Sequence, residues 1–506
     1  MSCFCPPMYI FTDCYYLPKF YLFVIGLSVY FASILILESK DESKENLSDY
    51  LSLFFMIYII LSEFECTYVI VKILGYGHSI KGEFGTFDNP SGLALALSIA
   101  LSMIITLLLK SNKLWVKFLL LLSCAPVVTI LLITNSRTGL ICLIFNILVL
   151  LWFLILRFFK KIIIKMAVFL TIAIVLLMSV ALYISFNKTD STTGRKFILQ
   201  QSFNLIKKHP LLGYGHNGFQ REYMLQQANF FKENPNSKYE NNADEVRYPM
   251  NEFVYLWINY GMGAPIMLAI FFIFPFVLFL HRKGRMVQET LLPLVSVIIF
   301  SLFSYPFHYQ SSWLVMFLIF SPVFHIISLK IPLSFKERVY SIFLVGLFLL
   351  LYLSIDIYKE YQWRMAEKIS FRGFHKEALD RYGDLYGYFH DNRFFLYSYA
   401  LAAFMGGDMR TSYNIINESG RYWNGYAREL LFGDVCLYLH EYDEATVHFS
   451  EAHYMCPVRF APLEGLYKVY KVTEQNIKKD SIAEIIAAKS VKISSSDVER
   501  IKETCK

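Results

Sequence analysis

Charge is scarce in this sequence where apolar residues are densest. Charged residues make up 18% of the 506 positions, and the long apolar runs of the first 356 carry almost none. The sequence has no CxxC pair and no His/Cys spacing of the zinc-binding kind, so no zinc site is expected. Its nine cysteines are scattered. Cys436 and Cys456 can pair in an oxidising compartment or stay as buried free thiols. Residues 1–19 lack a basic start followed by an apolar core, so no cleavable leader is expected there. Lys and Arg outnumber Asp and Glu by 48 to 41, a net charge of +7. The excess sits in particular short loops, which argues against a nucleic-acid partner.

Apolar residues, in contrast, make up 56% of the chain, more than the roughly half usual in soluble domains. Windows of about 20 apolar residues are long enough to cross a bilayer. They occur at 20–37, 51–73, 91–109, 114–133, 138–157, 162–186, 253–280, 290–305, 312–329 and 338–356. Each is expected to be helical, because backbone amides in hydrocarbon need partners within their own segment. The expected class is therefore all-α, a polytopic membrane bundle of about ten spans. The basic residues alternate between loops: Lys110, Lys113 and Lys117; Arg157, Lys160, Lys161 and Lys165; Arg282, Lys283 and Arg285; Lys330, Lys336 and Arg338. By the positive-inside bias these loops are cytoplasmic. The polar loop Asn187–Met250 and everything after residue 357 then lie on the outer side, with membrane lipids around the bundle.

The expected division is a 1–19 segment, a membrane domain at 20–356 and a helical domain at 357–506. Within the last, Gly433, Ala445, Phe449, Ala452 and Pro457 have the spacing of a tetratricopeptide unit. Ser412 with Ile416, and Ala378 with Tyr382, repeat it at intervals of 33 and 34 residues. A short helical solenoid presents a face for a protein partner; a generic helical tail is the plainer alternative.

Four polar stretches stand out. Gly85-Thr86-Phe87-Asp88-Asn89-Pro90-Ser91-Gly92 reads as a turn opening a helix. Thr134-Asn135-Ser136-Arg137-Thr138-Gly139 places an arginine at headgroup level, as a phosphate ligand or as an interfacial anchor. In the long loop, Thr193-Gly194-Arg195-Lys196-Phe197 opens a helical pattern over 195–208, with Phe197, Leu199, Phe203, Leu205 and Ile206 available to bury. His209-Pro210-Leu211-Leu212-Gly213-Tyr214-Gly215-His216-Asn217-Gly218-Phe219 follows, its glycines suited to a tight turn near a ligand. Arg221 and Arg247 add cations. Last, Tyr248-Pro249-Met250-Asn251-Glu252-Phe253 returns to the membrane, where a carboxylate is costly unless paired or wet. Glu252 is thus a candidate base, an arginine partner or a plain interfacial acid.

Taken in order, GTFDNPSGLA (85–94), NSRTG (135–139), TGRKF through HPLLGYGHNGF (193–219), NEFVYLWINYGMG (251–263) and SYPFHYQ (304–310) resemble the O-antigen ligase and polymerase superfamily of membrane glycan transferases, over roughly residues 70–325. Members with a tetratricopeptide tail occur in it. The resemblance implies metal-independent, inverting transfer of a glycan from undecaprenyl diphosphate to an acceptor hydroxyl on the periplasmic side of the bacterial inner membrane. The acceptor would be lipid A-core, a growing glycan or a protein. It further implies Arg137 and Arg195 as diphosphate ligands, with Arg221 and Arg247 as weaker loop candidates. Many ligases carry a histidine just before the Asn of the fourth motif, where this chain has Met250. Glu252 takes that part here, or His209, His216 or His308 does, or no base is used. A lipid-linked glycan transporter and a non-enzymatic scaffold are the readings of other classes.

Overall fold

The computed structural model describes residues 44–76, 84–87, 89–158, 166, 168–172, 189–282, 285–309, 312–313, 315–316, 335–491 and 495–505. The expected spans at 20–37, 162–186 and 312–329, and the 1–19 segment, lie wholly or largely outside these residues. All the helices and turns described are free of strand.

The chain first builds α1 (Lys44–Tyr76), α2 (Pro90–Lys110), α3 (Leu114–Ile133) and α4 (Arg137–Phe158). Among the described residues, Leu51–Gly75, Pro90–Lys110 and Leu114–Ile133 are long and apolar enough to cross a membrane. Shorter apolar helical stretches occupy Arg137–Phe153, Gly263–Val277 and Glu289–Phe303. Helix α2 is central, with Gly92–Leu107 buried throughout. Small residues let its neighbours close in. A Cβ on Gly139 of α4 would lie 3.0 Å from that of Ala94. The hydroxyl of Ser102 is 2.6 Å from that of Ser296, and Ser91 is 2.9 Å from Ser304. These two pairs run α2 antiparallel to α9 (Arg285–Phe303). Lipid tails are as apolar as leucine, so close backbones and interhelical hydrogen bonds decide such packing.

The polar loop is itself helical, with α5 (Thr189–Lys208) and α6 (Gly218–Glu233). Of the residues expected to bury along 195–208, Phe197, Leu205 and Ile206 do so, while Phe203 is exposed. The apolar window 253–280 does not form one helix. It is cut into α7 (Glu252–Tyr260) and α8 (Gly263–Arg282) by Gly261, whose φ of 75° is left-handed. The hydropathy of the window is continuous, and only the backbone turn interrupts it.

Helix α10 (Phe335–Phe371) runs without a break through residue 357, and its Trp363 and Ala366 enter the core of the C-terminal region. There α11 (His375–Phe389), α12 (Arg393–Met405), α13 (Met409–Ser419), α14 (Tyr426–Tyr438), α15 (Tyr442–Met455), α16 (Ala461–Val472), α17 (Asn476–Ala488) and α18 (Ser496–Thr504) follow. Each of α10 to α16 packs on its successor. The positions singled out by repeat spacing are interior: Ala378, Tyr382, Ser412, Ile416, Ala445, Phe449 and Ala452 are all buried. The Phe449 ring lies against two glycines, where a Cβ on Gly433 or Gly465 would come within 2.7 or 2.5 Å of it. Cys436 and Cys456 are buried free thiols.

The C-terminal helices are not set apart from the loop. Helix α15 packs on α6, and Ala452, Met455 and Cys456 share a core with Phe219 and Tyr223. The Gln227 amide donates to the carbonyl of Met455 (2.6 Å), Asn424 donates to that of Arg221 (3.0 Å), and Arg459 pairs with Asp244 (2.7 Å).

Candidate functional site

The sequence motifs meet through their backbones. Asn89 caps α2 by accepting from the amides of Ser91 (2.8 Å) and Gly92 (3.1 Å), satisfying donors that a helix start leaves open. Its side-chain nitrogen donates to the hydroxyls of Tyr305 and Tyr309, at 2.8 and 2.5 Å. The first motif therefore positions the last. Glu65 of α1 holds the preceding turn, accepting from the Thr86 amide (2.7 Å) and hydroxyl (3.0 Å).

The HPLLGYGHNGF and NEFVYLWINYGMG stretches grip each other. Carbonyls at the end of α7 accept from the loop: Ile258 from the Tyr214 amide (2.8 Å) and Asn259 from that of Gly215 (2.7 Å). In return, Pro210 accepts from the Met262 amide (3.1 Å) and the Trp257 indole (2.8 Å). Gly213, expected beside a ligand, lies instead on the backbone of Ile258 and Gly261. The glycines serve a C-terminal cap.

At the other end of α7, Asn251 accepts from the Val254 amide (3.0 Å) and donates to Leu302 (2.9 Å), whose carbonyl is near the end of α9. Arg195 of α5 donates to the next carbonyl, Phe303 (3.2 Å). A cation there suits the negative helix end. Arg137 donates to the Thr192 hydroxyl at 2.6 Å, one turn before Arg195. The two arginines thus converge from α4 and α5. Burial first, and the Arg137 charge next, push the Arg195 guanidinium below its ordinary pKa. Among the described residues Arg195 forms no ion pair.

Next to this pair stands a cluster of rings. Tyr248 lies 4.6 Å from Tyr305 and 3.8 Å from His308 between centroids, and Tyr255 lies 5.3 Å from His308. Glu252, 2% exposed, belongs to the same group, since the backbone amide of Phe307 donates to its carboxylate. Burial pushes its pKa up to about 8, the Phe307 bond opposing. Burial holds His308 near 3, so the imidazole is neutral at physiological pH. One oxygen of Glu252 (Oε2), Nδ1 of His308 and Oε1 of Gln220 are buried without a hydrogen-bond partner. Three orphaned polar atoms around Tyr255 are costly unless something polar occupies the space.

The other sequence candidates lie elsewhere. His209 and His216 are exposed; His216 contacts the Tyr260 hydroxyl (3.1 Å) at the far end of α7, about 12 Å along the axis from Glu252. His209 packs its ring on Tyr214. Arg221 pairs with Glu222 (2.8 Å) and donates to the Tyr214 carbonyl (2.7 Å), which fixes the loop. The Arg247 charge acts on the half-buried Glu245. The structure therefore gathers Arg137, Arg195, Glu252 and His308. The tyrosines and Gln220 were not found by sequence reasoning. The repeated Tyr-Pro of 248–249 and 305–306 was the available signal for the rings.

Residues 122–264 match the family model described as O-antigen ligase. The match contains the second, third and fourth motifs and supports the resemblance over that stretch; the motifs at 85–94 and 304–310 fall outside it. No curated protein and no solved structure matches the chain.

Proposed function

We propose that the chain transfers a glycan from undecaprenyl diphosphate to an acceptor hydroxyl, with inversion, at the periplasmic face of a bacterial inner membrane. The observation that carries this reading is the approach of Arg137 and Arg195 to each other at the end of α9, where Asn251, the residue before the buried Glu252, donates to the neighbouring carbonyl. Two guanidiniums repel at close range, and a diphosphate relieves the repulsion. As the glycosidic bond to phosphate breaks, its electron pair passes to the diphosphate oxygen, and fixed cations stabilise that charge. The acceptor oxygen forms the new bond to the anomeric carbon and its proton goes to Glu252, whose pKa near 8 keeps a usable ionised fraction at neutral pH. Neutral His308 orients the same hydroxyl. No cofactor enters. Lipid A-core, a growing glycan and a protein all offer such a hydroxyl, and the chemistry is the same for each.

In this reading the C-terminal helices form a periplasmic solenoid of tetratricopeptide kind, which also binds a protein partner. A transporter would use charged groups along a path through the bilayer. Glu65, a carboxylate within the apolar α1, instead holds the 85–86 turn.

The test uses Arg137→Ala and Arg195→Ala variants, checked first for membrane insertion and then for glycan transfer in cells. Loss of transfer from inserted protein is expected. Normal surface glycan in both variants would sink the reading, as would labelling that places Asn187–Met250 on the cytoplasmic side.

A further inference from the structure

We infer that the cleft between α11, α13 and the turn into α14 binds saccharide, as a subsite for the glycan beyond the reacting sugar. The role in transfer rests on the glycan-transfer reading; the chemistry of the ligand rests on the cleft itself.

The cleft has a volume of about 720 Å³, within the roughly 300–1,000 Å³ of small-molecule sites. None of the eight residues around it is aliphatic. Asn414 and Asn417 are exposed on one face of α13, and Asn424 stands on the turn beyond. Each carboxamide offers both donors and acceptors. A sugar hydroxyl, itself donor and acceptor, asks for that combination. The rest of the wall is held in place. The Tyr386 hydroxyl of α11 donates to the Glu418 carboxylate, 2.9 and 2.8 Å from its two oxygens, and so ties α11 to the end of α13. Arg428, 5% exposed, donates to the Ile416 carbonyl (3.2 Å) and the Ser419 hydroxyl (3.1 Å) and pairs with Glu429. Gly420 leaves room for it, since a Cβ there would come 2.5 Å from the guanidinium.

Charge decides between ligand classes. Arg428 is already neutralised by Glu429, and Glu418 offsets Arg421 in the lining. A phosphate group asks for cations left over, and a peptide asks for apolar seats for its anchoring side chains. The lining offers neither. It matches a ligand with many hydroxyls and no net charge.

Hydrogen bonds join the cleft to the candidate site. The Asn424 amide donates to the Gln220 carbonyl (3.3 Å), and its side chain donates to that of Arg221 (3.0 Å). Gln220 in turn donates through its side chain to the Tyr255 hydroxyl (3.3 Å), and the Tyr255 ring packs on His308. The first turn of α6 therefore stands between the two places. A glycan that leaves the ring cluster past Gln220 meets the cleft at Asn424. The donor's glycan and a glycan acceptor share this chemistry.

The test uses the full chain in nanodiscs and two probes. One is the oligosaccharide freed by mild acid from the cells' undecaprenyl diphosphate pool, and the other is core oligosaccharide freed from lipopolysaccharide. The parent should bind at least one with a Kd of about 1 mM or tighter. Binding of the first assigns the cleft to the donor, and binding of the second to the acceptor. Asn414→Ala/Asn417→Ala should weaken that binding by about tenfold or more, for two lost hydrogen bonds. Its melting temperature should stay that of the parent, because both side chains are exposed. Arg137→Gln/Arg195→Gln should bind the saccharide as the parent does. Glycan transfer that survives in this arginine variant would sink the transfer reading and leave the cleft standing. The inference is overturned if the parent binds neither probe, or if the asparagine variant binds as tightly as the parent. It is equally overturned if the arginine variant loses the saccharide, or if a pool of unrelated peptides displaces it through the same two asparagines.

Discussion

Gly213 and Gly261 face each other backbone to backbone. A Cβ on Gly213 would lie 2.6 Å from the amide nitrogen of Gly261, and one on Gly261 only 1.8 Å from the carbonyl oxygen of Leu211. Both have left-handed φ, 67° and 75°. Through this contact the loop ends α7 and thereby sets where Glu252, at its start, stands.

Gly261→Ala should accordingly destabilise the protein by about 3 kcal/mol or more, from strain and overlap together. Gly215→Ala, also left-handed but in open space, should cost about 1 kcal/mol. Melting of the two purified variants compares them directly. Equal losses would show that the close approach of the two backbones is not what matters.

Glu252 predicts a pH profile. Below its pKa of about 8 the carboxyl holds its own proton and accepts no other. Transfer should rise about tenfold per pH unit toward 8 and level above it. Glu252→Gln should lower transfer by ~100-fold or more and abolish the slope. Stability runs the other way: the folded pKa is raised above the ordinary 4.5, so stability falls as pH climbs from there to about 8, and the glutamine variant loses this dependence. A parent profile that is flat between pH 6 and 8 would remove Glu252 as the base.

The arginines should separate by role. Arg195→Ala should cut transfer by about 100-fold with little change in melting. Arg221→Ala should instead loosen the loop, by ~1 kcal/mol, because its guanidinium already serves Glu222 and the Tyr214 carbonyl. The reverse pattern, a stable but inactive Arg221→Ala beside an active Arg195→Ala, would mean that the cations have been assigned the wrong way round.

The junction of loop and C-terminal helices gives a fourth expectation. Gln227 is fully buried and donates to the carbonyls of Asp244 (3.1 Å) and Met455 (2.6 Å). Gln227→Ala strands both carbonyls and should cost about 1–3 kcal/mol. Arg459→Ala breaks an exposed pair with Asp244 and should cost under ~1 kcal/mol. Protease nicking between α6 and α15 reports the difference, and a junction that opens equally in both variants would refute it.

The apolar windows of α1 to α4 were legible because a bilayer imposes length and composition on a span, and residue order alone records both. The helical pattern after Arg195 and the interior positions spaced along the C-terminal region were readable for a similar reason: helical periodicity is local. Gly261 was not, since glycine in an apolar run looks the same whether it breaks the helix or merely packs; the Leu211 carbonyl decides that. Sequence reasoning also placed Gly213 by a ligand when its neighbour is the end of α7. It named Arg137 and Arg195 from motif order and put Glu252 ahead of His209, His216 and His308 as a base. Folding separates these candidates, burying His308 and Glu252 near the same rings while leaving His209 and His216 in solvent. The orphaned atoms of Glu252, His308 and Gln220 show the limit most clearly: burial and the want of a partner are properties of three-dimensional surroundings, and only the meeting of α6, α7 and the 305–308 turn confers them.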